Sequence, residues 1–441
     1  MKKYDYIILG TGPAGYKLAG ELSAVGKKIL AVEGGMFGGT CPNVGCEPKI
    51  FLEGTVHTAL MSEQLAGRGL VQPAKVDWHQ LMQYKKARFN SWPEETRAIY
   101  YEMGDVAEGY GKFVAPHVIE VNGEKYEGDK IIIATGAHSH RVHFPGDEMT
   151  HISDDVLSLD NVPNRTTIIG GGYISMELGT FLAAAGSDVT ILVRSDRVLR
   201  GFYHEYTTQF VAEMEKRNIH IRLFTEIDTL DMSDSDGEMV ITTKDGSKLL
   251  TDYVLDASGR IPNADKLNLE SAGIEYDRKG ITVDDHLMTT AADVYAIGDI
   301  TNQKLPKLTT VAEYEAGYLF DYLEKGKSEA FVAPVIGTTA FAYPELAQVG
   351  HIPEKDDSNY EIVEHDLSGG SLYAGMNEQT KLTLVFNHDH QLVGASEIGA
   401  QAADDINYLI PVIGLKITGD EWRKKLVPIY PALADKIGGL L

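Results

Sequence analysis

Three observations predict an α/β chain with two Rossmann-like units and a C-terminal α+β domain. A short apolar strand runs into a glycine-rich turn and a helix near the N-terminus, and the same succession returns at about residue 166. From about 331 the pattern changes to alternating strands and two helices, without another turn of that kind. At 441 residues the chain is too long for a single hydrophobic core. Its 43% apolar and 24% charged residues are ordinary for a globular protein.

The first strand covers residues 4–9 and ends in Gly10-Thr11-Gly12-Pro13-Ala14-Gly15. A helical pattern follows (Leu18, Ala19, Leu22, Ala24), then a strand over 28–32 ending at Glu33, 23 residues after Gly10. A glycine turn alone is a weak signal, since glycines also make plain turns. Strand, GxGxxG, helix, strand and acid together read as a dinucleotide site. The glycines let the backbone approach a pyrophosphate at the helix N-terminus, and the acid accepts a hydrogen bond from a ribose 2′-hydroxyl.

The two cysteines of the chain, Cys41 and Cys46, lie in Gly38-Gly39-Thr40-Cys41-Pro42-Asn43-Val44-Gly45-Cys46-Glu47-Pro48-Lys49. Two sulfurs a helical turn apart can open and close a disulfide with little backbone movement. Half of a zinc site and two inert thiols are the other readings; no second Cys/His pair stands at zinc spacing.

Residues 77–104 read as two helices broken at Ser91-Trp92-Pro93-Glu94, with Ser91 and Glu94 as a capping box, Pro93 in the first turn and Gly104 as the stop. Short strands follow at 110–121 and 125–134, the second leading into Thr135 and Gly136. After a connector over 137–150, Thr166–Ile169 leads into Gly170-Gly171-Gly172-Tyr173-Ile174-Ser175, a helix to Ala185 and a strand over 188–193. Where the first unit has its acid, 24 residues after Gly170, stands Arg194, with Arg197 and Arg200 beyond it. An acid repels a 2′-phosphate and a guanidinium binds one bidentately. The first site therefore reads as an FAD or NAD site and the second as an NADP site. A strand over 294–297 ends in Gly298-Asp299, and a helix covers about 309–323.

The net charge of −24 argues against a nucleic-acid partner or an anionic membrane surface. No run approaches the ~18 apolar residues of a membrane span. Asp5 interrupts what a signal peptide would keep apolar, and two cysteines cannot staple a chain of this size, so a reducing cytoplasm is expected. His138, His140 and His143 cluster in the connector. No Cys or carboxylate cluster flanks them, and they read as exposed polar residues rather than metal ligands.

Taken together these motifs resemble the pyridine nucleotide–disulfide oxidoreductases, which include glutathione reductase, dihydrolipoamide dehydrogenase and mercuric reductase. The likeness is carried by the first glycine turn, Gly-Gly-Thr-Cys-x-x-x-Gly-Cys-x-Pro-Lys, Ala134-Thr135-Gly136, the second glycine turn, Gly259-Arg260-x-Pro262-Asn263 and Gly298-Asp299. It implies an FAD-binding domain over 1–147, an NADP-binding domain over 148–263, a central segment over 264–330 and a C-terminal interface domain over 331–441. It also implies a homodimer in which the tail completes the partner's active site. FAD would be held by Gly10, Gly12, Pro13, Ala14, Gly15, Glu33, Gly39, Thr40, Thr135, Gly136 and Asp299. NADPH would be held by Gly170, Gly172, Tyr173, Ile174, Glu177, Arg194, Arg200 and Gly259, with Tyr173 as an aromatic gate over the flavin. Cys46 would be the flavin-side thiolate and Cys41 the thiol that attacks substrate. Lys49 and Glu177 would form an ion pair beside the flavin; two surface charges are the plainer alternative.

The departures bear on substrate. Disulfide-reducing members carry a His-Pro-x-x-x-Glu run whose His is the acid–base catalyst; here it is Tyr430-Pro431-Ala432-Leu433-Ala434-Asp435. A tyrosine, with a pKa near ~10, donates a proton but is a poor base at neutral pH. It suits a substrate whose leaving group needs little proton help. Where glutathione reductases grip glutathione, this chain has Pro13, Gly20 and Tyr318. Glu47 puts a negative charge beside Cys46 and is expected to raise that thiol's pKa. The expected activity is transfer of electrons from NADPH through FAD and Cys41–Cys46 to an oxidised small molecule, a low-molecular-weight disulfide first. A mercuric-type metal-ion reductase lacks support from an extra C-terminal cysteine pair, and dihydrolipoamide dehydrogenase would carry an acid in place of Arg194. A non-enzymatic flavin-binding protein would not need the cysteine pair, Lys49 or Glu177.

Overall fold

The structure is a computed structural model that describes residues 1–233, 238–355, 357–368, 379–429 and 440–441. The chain divides into two compact units. The first comprises 1–49, 84–140 and 260–333, and the second 50–83, 141–259 and 334–441.

A seven-stranded sheet organises the first unit. Its order is Asp105–Glu108, Ile29–Glu33, Lys2–Leu9, Glu124–Ile133, Val118–Val121 and Lys112–Ala115, with Val294–Ala296 also paired to Glu124–Ile133. The pairs made by Lys2–Leu9, Ile29–Glu33, Asp105–Glu108 and Val294–Ala296 are parallel. The Val118–Val121 and Lys112–Ala115 pairs are antiparallel. Side chains alternate across a strand with period two, and both faces here are covered, which explains the nearly unbroken apolar runs. Ile7, Leu9, Ile131 and Ile133 enter one core with Leu267, Leu269 and Ile281. Tyr6, Ile8 and Ile132 enter the other with Leu18, Leu22 and Leu319.

The second unit holds a parallel sheet in the order Ile219–Arg222, Asp188–Leu192, Arg165–Ile169, Tyr253–Asp256. It also has a three-stranded antiparallel sheet over Ile227–Met232, Met239–Thr243 and Lys248–Thr251. A five-stranded antiparallel sheet runs Gly337–Ala340, Glu345–Gly350, Leu392–Gly399, Lys381–Phe386, Glu361–Asp366. The helix Ala402–Gly414 buries Ile406, Leu409 and Val412 in a core with Leu382 and Leu384 of that sheet.

The expected helices between 77 and 104 are Trp78–Phe89 and Trp92–Met103. The capping box between them is not made. Ser91 sits in a helical conformation and its side chain caps nothing, while Glu94 lies 3.5 Å from Arg97 on its own helix. With Ser91 helical, its hydroxyl is no longer aimed at the first free N–H groups, which an extended residue at that position would serve. Gly104 ends the second helix as expected, its N–H donating to the Tyr100 carbonyl. Among the described residues no helix is long and apolar enough to cross a membrane.

Candidate active site

The glycine turn at the end of Lys2–Leu9 is built to bring backbones together. Gly10 has φ +101°, and a Cβ there would lie 2.4 Å from the Ala134 carbonyl oxygen. A Cβ on Gly15 would lie 2.2 Å from the Gly10 oxygen, whereas one on Gly12 would meet nothing nearer than Gly38 O at 3.9 Å. Gly10 and Gly15 are packing requirements and Gly12 keeps space open. The helix Pro13–Ala24 starts at that space with no side-chain cap and no acid in its first turn. Its first N–H groups are therefore free for an anion.

Glu33 is tied to the same turn. Thr11 donates to Glu33 Oε2 from its N–H at 3.0 Å and from its hydroxyl at 2.6 Å, and Gly35 N donates to Oε1 at 2.7 Å. A carboxylate has about four lone-pair directions, so capacity remains for a ribose hydroxyl. Thr11 Oγ1 also accepts from Gly38 N at 3.1 Å. Gly39 (φ +67°) lies so close to Gly12 that its Cβ would be 3.0 Å from the Gly12 Cα. Buried Asn43 donates to the carbonyls of Phe37 and Gly39, both at 2.8 Å, and so fixes the approach to Cys41.

The cysteines stand on two successive helices. Cys41 lies on Thr40–Val44 and Cys46 starts Cys46–Leu65, with Gly45 between. On an unbroken helix residues five apart stand about 140° round and about 7.5 Å along the axis, which is beyond disulfide reach. Gly45 makes the break; a Cβ there would lie 2.8 Å from the Thr40 oxygen. Across it the two thiols hydrogen-bond to each other.

That bond makes the pair asymmetric. Cys46 is held below the ordinary thiol range, first by the hydrogen bond from Cys41, then by the Thr309 hydroxyl and the Lys49 charge. Its Sγ is 3.4 Å from Thr309 Oγ1. Cys41 is pushed up by the same bond and by burial. Glu47 acts on Cys41, as the smallest of the causes that raise it, and is not among those acting on Cys46. The Cys46 environment is set first by Cys41, then by burial, Thr309 and Lys49.

Gly298 and Asp299 follow the strand Val294–Ala296. Burial pushes the Asp299 carboxyl up against the opposing charges of Arg260 and Lys307, and no hydrogen bond to it is formed among the described residues. Behind it Glu315, 2% exposed, accepts from Gly298 N, and burial pushes its pKa up to about 7. Lys307 Nζ donates to the Thr301 carbonyl at 2.6 Å. Thr135 and Gly136 are locked to Asn263, which donates to the Thr135 carbonyl at 2.7 Å from its side chain and to the Gly136 carbonyl at 2.9 Å from its backbone. Arg260 reaches the Ala137 carbonyl and, at 3.4 Å, Thr40 Oγ1. These residues fit FAD on three counts: open space at Gly12, an uncapped helix start, and a half-buried carboxyl at Asp299 with no donor of its own.

The second unit repeats the turn. Gly170 has φ +122° and would place a Cβ 2.4 Å from Ala257 O, while Gly172 has nothing within 4 Å. The helix Tyr173–Ala184 starts there with no cap and no acid in its first turn. Its third glycine is replaced by Ser175, whose buried hydroxyl has no partner. Tyr173 is 42% exposed, Ile174 is half-buried, and Gly259 (φ +150°) has open space beside it. Arg194 is exposed and makes no hydrogen bond or ion pair among the described residues; Arg200 pairs with Asp196 at 2.8 Å. Glu177, 2% exposed, accepts from Phe341 N at 2.9 Å. Lys49 and Glu177 belong to different units.

The first unit thus brings together the turn at 10–15, Glu33, Gly39, the dithiol and the 260–263 segment. Tyr430 and Asp435 lie outside the described residues. Tyr318 is buried, its hydroxyl donating to the Glu329 carbonyl at 2.9 Å and lying 2.8 Å from His286 Nδ1, so its polar end is engaged in packing. His138 bonds Asn263 Oδ1 at 2.6 Å and His143 pairs with Asp147 at 2.8 Å. Sequence reasoning missed Thr11, Asn43, Lys307, Thr309 and Glu315. Glu315 left a signal, a single acid within the apolar stripe Val311, Ala312, Ala316, Leu319.

A family model described as pyridine nucleotide-disulphide oxidoreductase matches residues 4–316. A mercuric reductase of Bacillus cereus is 30% identical, aligned over 98% of this chain and 70% of its own length. A glutathione reductase of Burkholderia cepacia is 29% identical over 99% of this chain and 98% of its own. The structure of the HOCl-induced flavoprotein disulfide reductase RclA from Escherichia coli superposes with a TM-score of 0.88 at 24% identity, covering 99% of both chains.

Proposed function

The chain belongs to the pyridine nucleotide-disulphide oxidoreductases, and from that premise we propose that it uses NADPH to reduce a low-molecular-weight disulfide through Cys41 and Cys46. The family is FAD-dependent, and its members act on small molecules. The choice of NADPH is supported by Arg194, an exposed guanidinium that makes no hydrogen bond or ion pair among the described residues, where the first unit has Glu33. We assign FAD to residues 1–147 and 264–330, NADPH to 148–263 and a homodimer interface to 331–441, with Tyr430 and Asp435 reaching the partner's dithiol.

Bound FAD would supply the two-electron link between NADPH and the cysteine pair. The residues named above would hold it: Gly12 and the helix start at the pyrophosphate, Glu33 at a ribose, and Asp299 at a hydroxyl-bearing chain. The observation that carries the reading is the asymmetry of the dithiol. The Cys46 thiol is lowered and the Cys41 thiol raised, each first by the other, and on that basis we assign the thiolate to Cys46 and the proton to Cys41. Attack by Cys41 on a disulfide R–S–S–R′ releases R′SH and forms a mixed disulfide, with the Cys41 proton moving first to Cys46 Sγ or a tail group. Cys46, having passed that proton to the departing R′S⁻, then attacks Cys41 Sγ, restores the Cys41–Cys46 bond and releases RS⁻, which takes a proton from solvent to become RSH. One NADPH and one proton are consumed for two thiols formed.

A thiophilic metal ion is the second acceptor class, favoured by the same soft dithiol and by the likeness to a mercuric reductase. The test is NADPH oxidation against a panel of small disulfides, quinones and metal ions. Two thiols per NADPH with one disulfide, abolished by Cys41→Ser, is the expected result. Turnover that is unaffected by Cys41→Ser would overturn the proposal.

A further inference from the structure

Within the second unit, Glu53 and His57 stand four residues apart on the helix Cys46–Leu65, on one face of it. His57 Nδ1 is 3.1 Å from Glu53 Oε1 and 3.9 Å from Glu345 Oε1. The three ligand atoms lie within 4.8 Å of one another, the one such group found among the described residues. Glu345 opens the strand Glu345–Gly350 and is 7% exposed. Its Oε2 accepts from Ala403 N at 2.8 Å, which leaves Oε1 turned toward the imidazole. His57 Nδ1 is sealed from solvent, with Glu53 Oε1 as its nearest acceptor; the Tyr343 ring packs edge-on against it with centroids 5.3 Å apart.

The charges around this group do not balance. No Lys or Arg pairs with Glu53 or Glu345 among the described residues. Two carboxylates withdrawn from water beside one imidazole call for a proton or a cation. The arrangement suits the cation geometrically. Zinc-class ions take imidazole nitrogen and carboxylate oxygen at about 2.0–2.2 Å, which sets neighbouring ligand atoms about 3.3 Å apart in a tetrahedron. Separations of 3.1 and 3.9 Å bracket that spacing.

We propose that Glu53, His57 and Glu345 form a binding site for one divalent transition-metal ion of the zinc class, with a fourth position left to water. Nitrogen from His57 selects against magnesium and calcium, which prefer all-oxygen shells. The site is separate from the cysteine pair, whose thiolates would themselves take such an ion.

The test uses the full-length, flavin-loaded protein carrying Cys41→Ser and Cys46→Ser, stripped with a chelator and titrated with cobalt(II) alone. Visible ligand-field absorption and calorimetry read the titration. One cobalt(II) per chain is expected, with affinity lowered at least about tenfold by His57→Ala and by Glu345→Gln. Glu53→Gln, at the least buried carboxylate, should give the same loss with an unchanged circular dichroism spectrum, which separates ligand removal from misfolding. Absence of saturable cobalt(II) uptake, or uptake unchanged in His57→Ala and Glu53→Gln, would overturn the proposal.

Discussion

Thr309 Oγ1 stands 3.4 Å from Cys46 Sγ, and Thr309 is also the first residue of the helix Thr309–Glu324, which has no acid in its first turn. A hydroxyl and the positive end of a helix thus meet the sulfur to which we assign the negative charge. Replacing Thr309 by Val removes the hydroxyl and keeps the shape. A hydrogen bond to a charged group contributes about 1.5–3 kcal/mol, so the thiolate's titration midpoint should rise by about one to two pH units. Absorbance of the reduced enzyme followed against pH measures it; an unmoved midpoint would remove Thr309 from the site.

Gly10 and Gly12 make a paired prediction. Gly10→Ala forces a Cβ to 2.4 Å from the Ala134 oxygen at a φ of +101°, and should cost on the order of 1–3 kcal/mol of stability. Gly12→Ala meets nothing closer than 3.9 Å, so the chain should fold with unchanged thermal stability in the flavin-free form and bind FAD more weakly. Equal stability losses in the two flavin-free variants would contradict the cradle.

Arg194→Ala should raise KM for NADPH by at least about tenfold while leaving that for NADH nearly unchanged, as expected when a charged hydrogen bond to a 2′-phosphate is lost. Steady-state kinetics with both nucleotides decides it. Parallel increases would mean that Arg194 does not read the phosphate.

Glu315 links pH to stability. Its carboxyl, 2% exposed, is raised from 4.5 to about 7. Between those values the folded chain binds the proton and the unfolded chain releases it, so stability falls as pH rises through that window. The full difference is on the order of 3 kcal/mol. Glu315→Gln should flatten the decline in Tm between pH 5 and pH 8 relative to wild type. An identical decline would show that Glu315 is ionised throughout.

Much of this arrangement was legible in the chain because it rests on local rules. The turns at Gly10 and Gly170 follow from glycine at positive φ between strand and helix, and the strands around Ile7–Leu9 and Ile131–Ile133 follow from apolar runs buried on both faces. What escaped depends on pairing between distant segments. Thr309 is 263 residues from Cys46, and no spacing rule links them. Asn43 is an ordinary polar residue until Phe37 and Gly39 turn their carbonyls toward it. The break at Gly45 between Thr40–Val44 and Cys46–Leu65 left no signal in the spacing of Cys41 and Cys46. The Ser91 cap failed because that residue's backbone is helical.

The central claim is that Cys46 is the thiolate and Cys41 the exchanging thiol. Anaerobic titration of the flavin-loaded protein with NADPH tests it most directly, followed at long wavelength for thiolate–flavin charge transfer. Wild type and Cys41→Ser should develop the band, and Cys46→Ser should not. A band that survives in Cys46→Ser and vanishes in Cys41→Ser would contradict the assignment.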